Sequence, residues 1–306
     1  MADVEVLTMF APGHDKLYVQ SQAHSDTLAT DPDLDSLFDE TEDNIAEDTT
    51  VDTQHRTPAI RIGPPIRGLH FHPTELLPQE LVEMVMQKCI TAYFQDGNVN
   101  QVMLFERADK IGEGHAPDTD TSLNSTLPTF LTDLLATLSK LLRPTLPGQA
   151  HALLFPPPSA RTHARQVIIN HYNPGEGITP HVDLLDRFGD GIIGVSMGSG
   201  CVMKFQKVEY DDGLDDEGDD AAKDWEVYLP SGSMYVMTDE ARHEWTHGIE
   251  KRREDWVEDE VASGSDLDGV GSAVTARGRW IPRSVRVSIT FRWLLPGADV
   301  VGSGLA

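Results

Sequence analysis

"RQVIINHYNPGEGITPHVD", residues 165–183, sets the reading of the whole chain. It contains two short strand-like runs divided by Gly and Pro, and it ends on His181-Val182-Asp183. The same texture continues downstream in "GIIGVSM", "CVMKFQKV", "WEVYLP", "SMYVMT", "WTHGI" and "RVSITFRWLL". Short runs rich in β-branched and aromatic residues, punctuated by turn formers, are strand signals. Eight of them at this spacing predict a closed or double-sheet β architecture, a jelly roll over 161–298. The acidic stretch 209–226 and the Gly/Ser/Asp-rich stretch 254–278 then fall between strands, as surface loops.

Upstream the period changes. Pro78 opens a helix whose apolar stripe is Leu81, Val82, Val85, Cys89, Ala92 and Tyr93. A second helix starts near Pro128 and carries Phe130, Leu131, Leu134, Leu135, Leu138, Leu141 and Leu142, until Arg143-Pro144 ends it. Residues 58–160 therefore read as a helical extension packed outside the jelly roll, and the fold class is α+β. Within the first helix, "QKCITAYF" (Gln87 to Phe94) matches a short pattern that docks on sliding clamps. Its apolar residues coincide with the stripe the helix must bury, which favours core packing.

The formal charge of −26 is unevenly spread. Residues 1–55, 209–226 and 254–268 together hold 31 of the 50 acidic residues and two of the 24 lysines and arginines. The remainder carries a small positive excess, so the acidity belongs to tail and insertions and does not exclude an anionic substrate. Residues 1–57 combine many acids with scattered apolar residues and no sustained period, which predicts a disordered tail. Two cysteines, Cys89 and Cys201, make no disulfide framework. No secretory signal or 18-residue apolar run is present, so the expectation is a soluble protein of the nucleus or cytoplasm, with no membrane contact.

The chemistry lies in histidines. His243-Glu244-Trp245-Thr246-His247 spells H-E-x-x-H, which on one continuous helix would bind zinc and offer Glu244 as a general base. Thr246 and Gly248 are poor helix formers, and "SGSMYVMT" just before reads as a strand. The competing reading takes His247 alone and joins it to His181 and Asp183. In a strand, residues i and i+2 share a face, so that imidazole and carboxylate can converge on one ion. Two histidines and one carboxylate form the facial triad of non-haem iron(II) oxygenases. In "RVSITFR", Arg286 and Arg292 stand six apart on one face with Ser288 and Thr290 between them. Two guanidiniums beside a metal suit a dicarboxylate co-substrate.

"NHYNPGEGITPHVD", "SMGSGCVMKF", "LPSGSMYVMTDEARHEWTHGI" and "RVSITFR" resemble, in that order, the AlkB family of iron(II)/2-oxoglutarate-dependent dioxygenases. The resemblance covers about residues 160–295, with "QVMLFERA" and the helices similar to the family's N-terminal extension, and its texture is nearer the eukaryotic homologues than the bacterial repair enzyme. It implies a double-stranded β-helix, Fe(II) held by His181, Asp183 and His247, and 2-oxoglutarate and O2 as co-substrates. Asn170 and Tyr172 would hydrogen-bond 2-oxoglutarate and Arg286 would pair with its far carboxylate. Arg292 would stand near the keto-acid end or the substrate, and Ser288 occupies a position where the bacterial pattern often has Asn. The implied activity is oxidative demethylation of alkylated bases in DNA or RNA, as in DNA repair. Methylated protein side chains, a tRNA wobble modification and a non-catalytic scaffold are the alternatives. Arg161, Arg165, Arg187 and Lys204 are candidates for backbone contacts, and Arg187 and Phe188 for contact with a flipped base.

Overall fold

The computed structural model describes residues 6–10, 57–95, 97–106, 127–157, 163–208, 223–260 and 277–298. Thirteen strands and four helices lie among them. The larger sheet has seven strands in the order β1 (Val6–Phe10), β3 (Val99–Glu106), β4 (Arg165–Tyr172), β13 (Arg286–Leu294), β6 (Phe188–Gly198), β9 (Ser233–Met237) and β2 (Leu69–Leu76). Facing it is a four-stranded sheet ordered β5 (Ile178–His181), β10 (Trp245–Ile249), β7 (Cys201–Lys207) and β8 (Asp224–Leu229). Neighbours in both sheets pair antiparallel. This is the expected jelly roll, and all eight strand-like runs named from the sequence are strands of it.

The strand β13 shows why the layers stack as they do. Period-2 alternation sends Val287, Ile289 and Phe291 to one face, where they join the largest apolar cluster. That cluster also takes Val82, Val85 and Cys89 of helix α1 (Gln79–Tyr93) and Leu131, Leu134, Leu135, Leu138 and Leu142 of α2 (Thr129–Leu142). Leu154 of a short helix α3 (Gly148–Leu154), which the sequence reading did not anticipate, completes it. The helices thus cover the outer face of the larger sheet. The opposite face of β13 presents Arg286, Ser288, Thr290 and Arg292 to the space between the sheets. A second cluster with Ile192, Met203, Phe205, Tyr235 and Trp245 fills the rest of that space.

Several expectations are corrected. The extension 58–160 is not only helical, because its β2 and β3 are strands of the larger sheet, β3 pairing with β4 from Gln101 opposite Asn170 to Glu106 opposite Arg165. Within the tail read as disordered, Val6–Phe10 pairs along β3. Those five residues carry no charge, and β3 offers them a row of backbone donors and acceptors. The stretch 254–278 is not all loop: β11 (Glu254–Glu258) and β12 (Gly278–Pro282) at its ends form a separate two-stranded ribbon. Trp256 and Trp280 lie opposite each other in that ribbon, with ring centroids 5.3 Å apart. Of the acidic insert 209–226, residues 209–222 lie outside the described residues, and Asp224 already begins β8. The clamp-docking pattern is core: Phe94 is 7% exposed, in the main cluster, and packs on the His171 ring at 5.3 Å. Among the described residues no helix is long and apolar enough to cross a membrane.

Candidate active site

His181 ends β5 and His247 sits in the middle of β10, directly opposite it in the antiparallel register. Gly248 makes this close pairing possible, since a Cβ there would lie 2.8 Å from the backbone of Pro180. Asp183 follows two residues after His181, where the chain leaves the strand. One ligand atom from each of the three lies within 4.8 Å of the others, and no other such group occurs among the described residues. The imidazole rings are 4.4 Å apart, and His247 Nε2 is 3.8 Å from Asp183 Oδ2. His181 Nδ1 is 2.8 Å from the Thr179 carbonyl, a contact that makes Nδ1 the donor and leaves Nε2 as the lone-pair nitrogen. Burial above all, then His181 and the positive Arg242, hold His247 well below the ordinary histidine value, so it is neutral and able to ligate.

The residues fit a divalent ion. Asp183 is 5% exposed, its Oδ1 ion-pairs with Arg292, and its Oδ2 is buried without a hydrogen-bond partner. A buried carboxylate oxygen left unsatisfied is costly unless a cation completes it. Hard oxygen and imidazole nitrogen together are a donor set for iron, and for neither Mg(II) nor a thiolate metal.

The H-E-x-x-H motif is not a zinc-protease helix. Helix α4 (Asp239–His243) stops at His243, Glu244 caps it, and β10 begins at Trp245. His243 Nδ1 contacts the Asp239 carbonyl at 2.7 Å and takes no part in the cluster.

A cleft of about 430 Å³, counting its open mouth, joins the three ligands to the inner face of β4 and β13. Asn170, Tyr172, Arg286, Ser288 and Arg292 all line it. Ser288 stands between Asn170 and Ser196 on the neighbouring strands, and Arg286 beside Tyr172. The Arg286 guanidinium is held over the Tyr172 ring at 4.9 Å, and its Nε donates to Ser196 Oγ at 2.9 Å. Its Nη1 is buried with no partner. Burial raises the Tyr172 phenol, against the Arg286 charge and a hydrogen bond with Ser288, so it keeps its proton.

Arg292 lines the cleft beside the metal ligands. Its Nε donates to Gln166 at 2.6 Å, its guanidinium stacks on Phe188 at 3.7 Å, and it ion-pairs with Asp183. It thereby orients the carboxylate ligand. Residues the sequence reading missed include Gln101, whose Nε2 donates to Asn170 Oδ1 at 2.8 Å and so holds the Asn170 amide in place. Tyr235 also lines the cleft. It lies across Gly194, where any Cβ would come within 2.0 Å of its ring. Strand alternation in "RQVIINHY" and "SMYVMT" could have flagged Gln166 and Tyr235; nothing local pointed to Gln101.

The proposed nucleic-acid contacts fare less well. Arg165 is buried, paired with Glu106 and stacked on Trp293 at 4.0 Å, so it is no surface cation. Phe188 is 2% exposed and packed with Ala164 and Leu294, which removes it from contact with a base. Lys204 reaches Asp224 at 4.0 Å. Arg187 is partly exposed with its Nε buried and unpaired, and Arg161 lies outside the described residues.

Residues 79–292 match the model of the 2OG-Fe(II) oxygenase superfamily. The chain is 35% identical over 127 residues to uncharacterized protein L905 of Acanthamoeba polyphaga mimivirus, covering 42% of this chain and 47% of that one. It is 36% identical over 129 residues to the mouse tRNA (carboxymethyluridine(34)-5-O)-methyltransferase ALKBH8, covering 42% of this chain and 17% of that one. The matched region thus spans less than half the length of either relative. The solved structure of OsALKBH1 aligns with 74% of this chain and 97% of its own at 16% identity and a TM-score of 0.39. With the family model spanning most of the chain, the protein belongs to the 2OG-Fe(II) oxygenase superfamily.

Proposed function

We propose that this dioxygenase oxidises an N-alkyl group on a base of DNA or RNA, with His181, Asp183 and His247 holding Fe(II) and Arg286 anchoring 2-oxoglutarate. The observation that carries the assignment of residues is a pair of buried, unsatisfied groups in one cleft. Asp183 Oδ2 lies 3.8 Å from His247 Nε2, and Arg286, whose Nη1 is buried without a hydrogen-bond partner, lines the same cleft from the neighbouring sheet. A cation suits the first and a carboxylate the second.

Bound Fe(II) would supply the oxidation, turning 2-oxoglutarate and O2 into succinate and CO2 and inserting one oxygen atom into a substrate C–H bond. The protein's part is to bind and orient. Arg286 presents a charged fork to the far carboxylate, while Tyr172 and Ser288 on either side supply hydroxyl groups. Asn170, fixed by Gln101, offers its amide N–H groups. Arg292 holds the Asp183 carboxylate in place beside the histidines. When the oxidised carbon is an N-methyl group, the resulting hemiaminal collapses to formaldehyde and the free amine.

A second reading, hydroxylation of a modified wobble uridine in tRNA, is favoured by similarity to the mouse protein whose name refers to carboxymethyluridine(34). The two are separated by incubating the protein with Fe(II), 2-oxoglutarate and either methylated oligonucleotides or total tRNA, followed by mass spectrometry of the nucleosides. Formaldehyde together with loss of a methylated base supports the first reading, and a gain of one oxygen on a uridine the second. Turnover of 2-oxoglutarate that leaves every nucleoside unchanged while oxidising a protein side chain would overturn both.

A further inference from the structure

Arg242 has the largest of the fully buried side chains, 1% exposed, and it lies five residues before His247. A guanidinium sealed from water needs acceptors, and in most proteins carboxylates supply them. Among the described residues Arg242 has no carboxylate in ion-pair contact. Its acceptors are three backbone carbonyls: Nη1 donates to Asp183 O at 3.0 Å, and Nη2 to Leu184 O at 3.3 Å and Phe188 O at 3.2 Å. The first two belong to the turn that carries Asp183 from β5 toward β6, and the third to Phe188, the first residue of β6.

From outside, that turn is also held where Leu295 N donates to Arg187 O at 2.9 Å. Leu184 and Leu185 are 40% and 51% exposed. Its internal bonds, from Arg187 N and Phe188 N, both return to the Leu184 carbonyl. The body that carries Arg242 is well anchored. Ala241 N donates to Arg67 O at 2.9 Å, Asp239 N donates to Asp190 Oδ1 at 2.9 Å, and β10 continues straight from α4 to His247. Asp183 is therefore gripped twice, at its carboxylate by Arg292 of β13 and at its carbonyl by Arg242 of the α4–β10 segment.

We infer that Arg242 is a positioning residue for the metal site: it ties the peptide of Asp183 to the segment that bears His247, and so sets the separation of these two ligands before any ion binds. The inference rests on the reading of His181, Asp183 and His247 as the metal ligands. Arginine suits this place because its rigid planar fork reaches the three carbonyls from two separated nitrogens, whereas an ammonium group on a flexible stem offers a single point. Loosening a support of this kind weakens metal binding rather than abolishing the fold, typically by about 10–100-fold.

The test uses Co(II) alone, with affinity from calorimetry and ligand geometry from its visible absorption. Arg242→Lys and Arg242→Met are compared with wild type, with Asp183→Ala and with Val85→Ala, a core truncation in α1. Melting temperatures of the metal-free proteins are recorded for all. The expected result is a 10–100-fold loss of Co(II) affinity in both Arg242 variants, with an altered absorption spectrum, and wild-type affinity in Val85→Ala. Arg242→Lys carries the answer if Arg242→Met does not fold. Wild-type affinity and spectrum in Arg242→Lys would overturn the inference, as would an equal loss in Val85→Ala, since that would mark a general effect of stability. A wild-type protein that binds no Co(II), or an Asp183→Ala protein that binds it normally, would instead remove the metal-site reading beneath it.

Discussion

Replacing Arg286 by alanine tests the co-substrate site more sharply than any other single change. The side chain is 4% exposed, one nitrogen is spent on Ser196, and Nη1 is left unsatisfied in the cleft. If that nitrogen pairs with the far carboxylate of 2-oxoglutarate, Arg286→Ala leaves the carboxylate without a counter-charge in a partly closed site. Losing one partner of a buried, hydrogen-bonded charge pair costs on the order of 2–5 kcal/mol, or roughly 30-fold or more in affinity. Arg286→Lys keeps the charge but loses both the fork and the Ser196 contact, and should fall between wild type and alanine. Isothermal titration with 2-oxoglutarate, with Mn(II) in place of iron, measures the difference directly. Mn(II) affinity itself should be unchanged, because the three ligands stand on β5, the turn after it, and β10. Unchanged 2-oxoglutarate affinity in Arg286→Ala would refute the placement of the co-substrate along β13.

Three further outcomes are expected. His243→Ala should keep its metal, since that imidazole contacts only its own helix, and metal loss equal to that of His247→Ala would return weight to H-E-x-x-H. Asp255 is sealed in the protein; burial alone would raise its carboxyl, but Arg283 and Arg252 outweigh it and hold it below the ordinary value. Its contribution to stability is therefore full above about pH 4, the unfolded value, and is lost as pH falls through the lower folded value. Asp255→Asn should destabilise by on the order of 3 kcal/mol at neutral pH, with the gap to wild type closing in acid; a gap that widens in acid would contradict the pairing. Burial pushes the Cys89 thiol up to about 12 and raises Cys201 as well. Both should resist iodoacetamide in the native protein at pH 8 and react after unfolding, as followed by mass spectrometry.

What the sequence made legible follows its periodicities. Runs such as "RVSITFR" alternate every second residue, so the shared face of Arg286, Ser288 and Arg292 could be read before any coordinates, and the structure places all three on it. Helices α1 and α2 were legible from their 3.6-residue stripes and their opening prolines. Contacts between distant segments were not. Gln101 meets Asn170 across 69 residues and Arg242 meets Asp183 across 59, and no local pattern encodes either pairing. Arg165 misled for the same reason: a basic residue at a strand start reads as surface, and only the pairing of β3 with β4 brings Glu106 to bury it. Short β-ribbons inside a polar insertion, such as β11 and β12, escaped because their residues look like loop until Trp256 and Trp280 are seen facing each other.

If His181, Asp183 and His247 hold the iron of a 2-oxoglutarate oxygenase, co-substrate turnover depends on all three. Release of succinate from 2-oxoglutarate by the purified protein tests it most directly, with Fe(II) and O2 supplied or withheld. Turnover should require both and disappear in Asp183→Ala, where the remaining two histidines hold the ion incompletely. Wild-type succinate release from Asp183→Ala would contradict it.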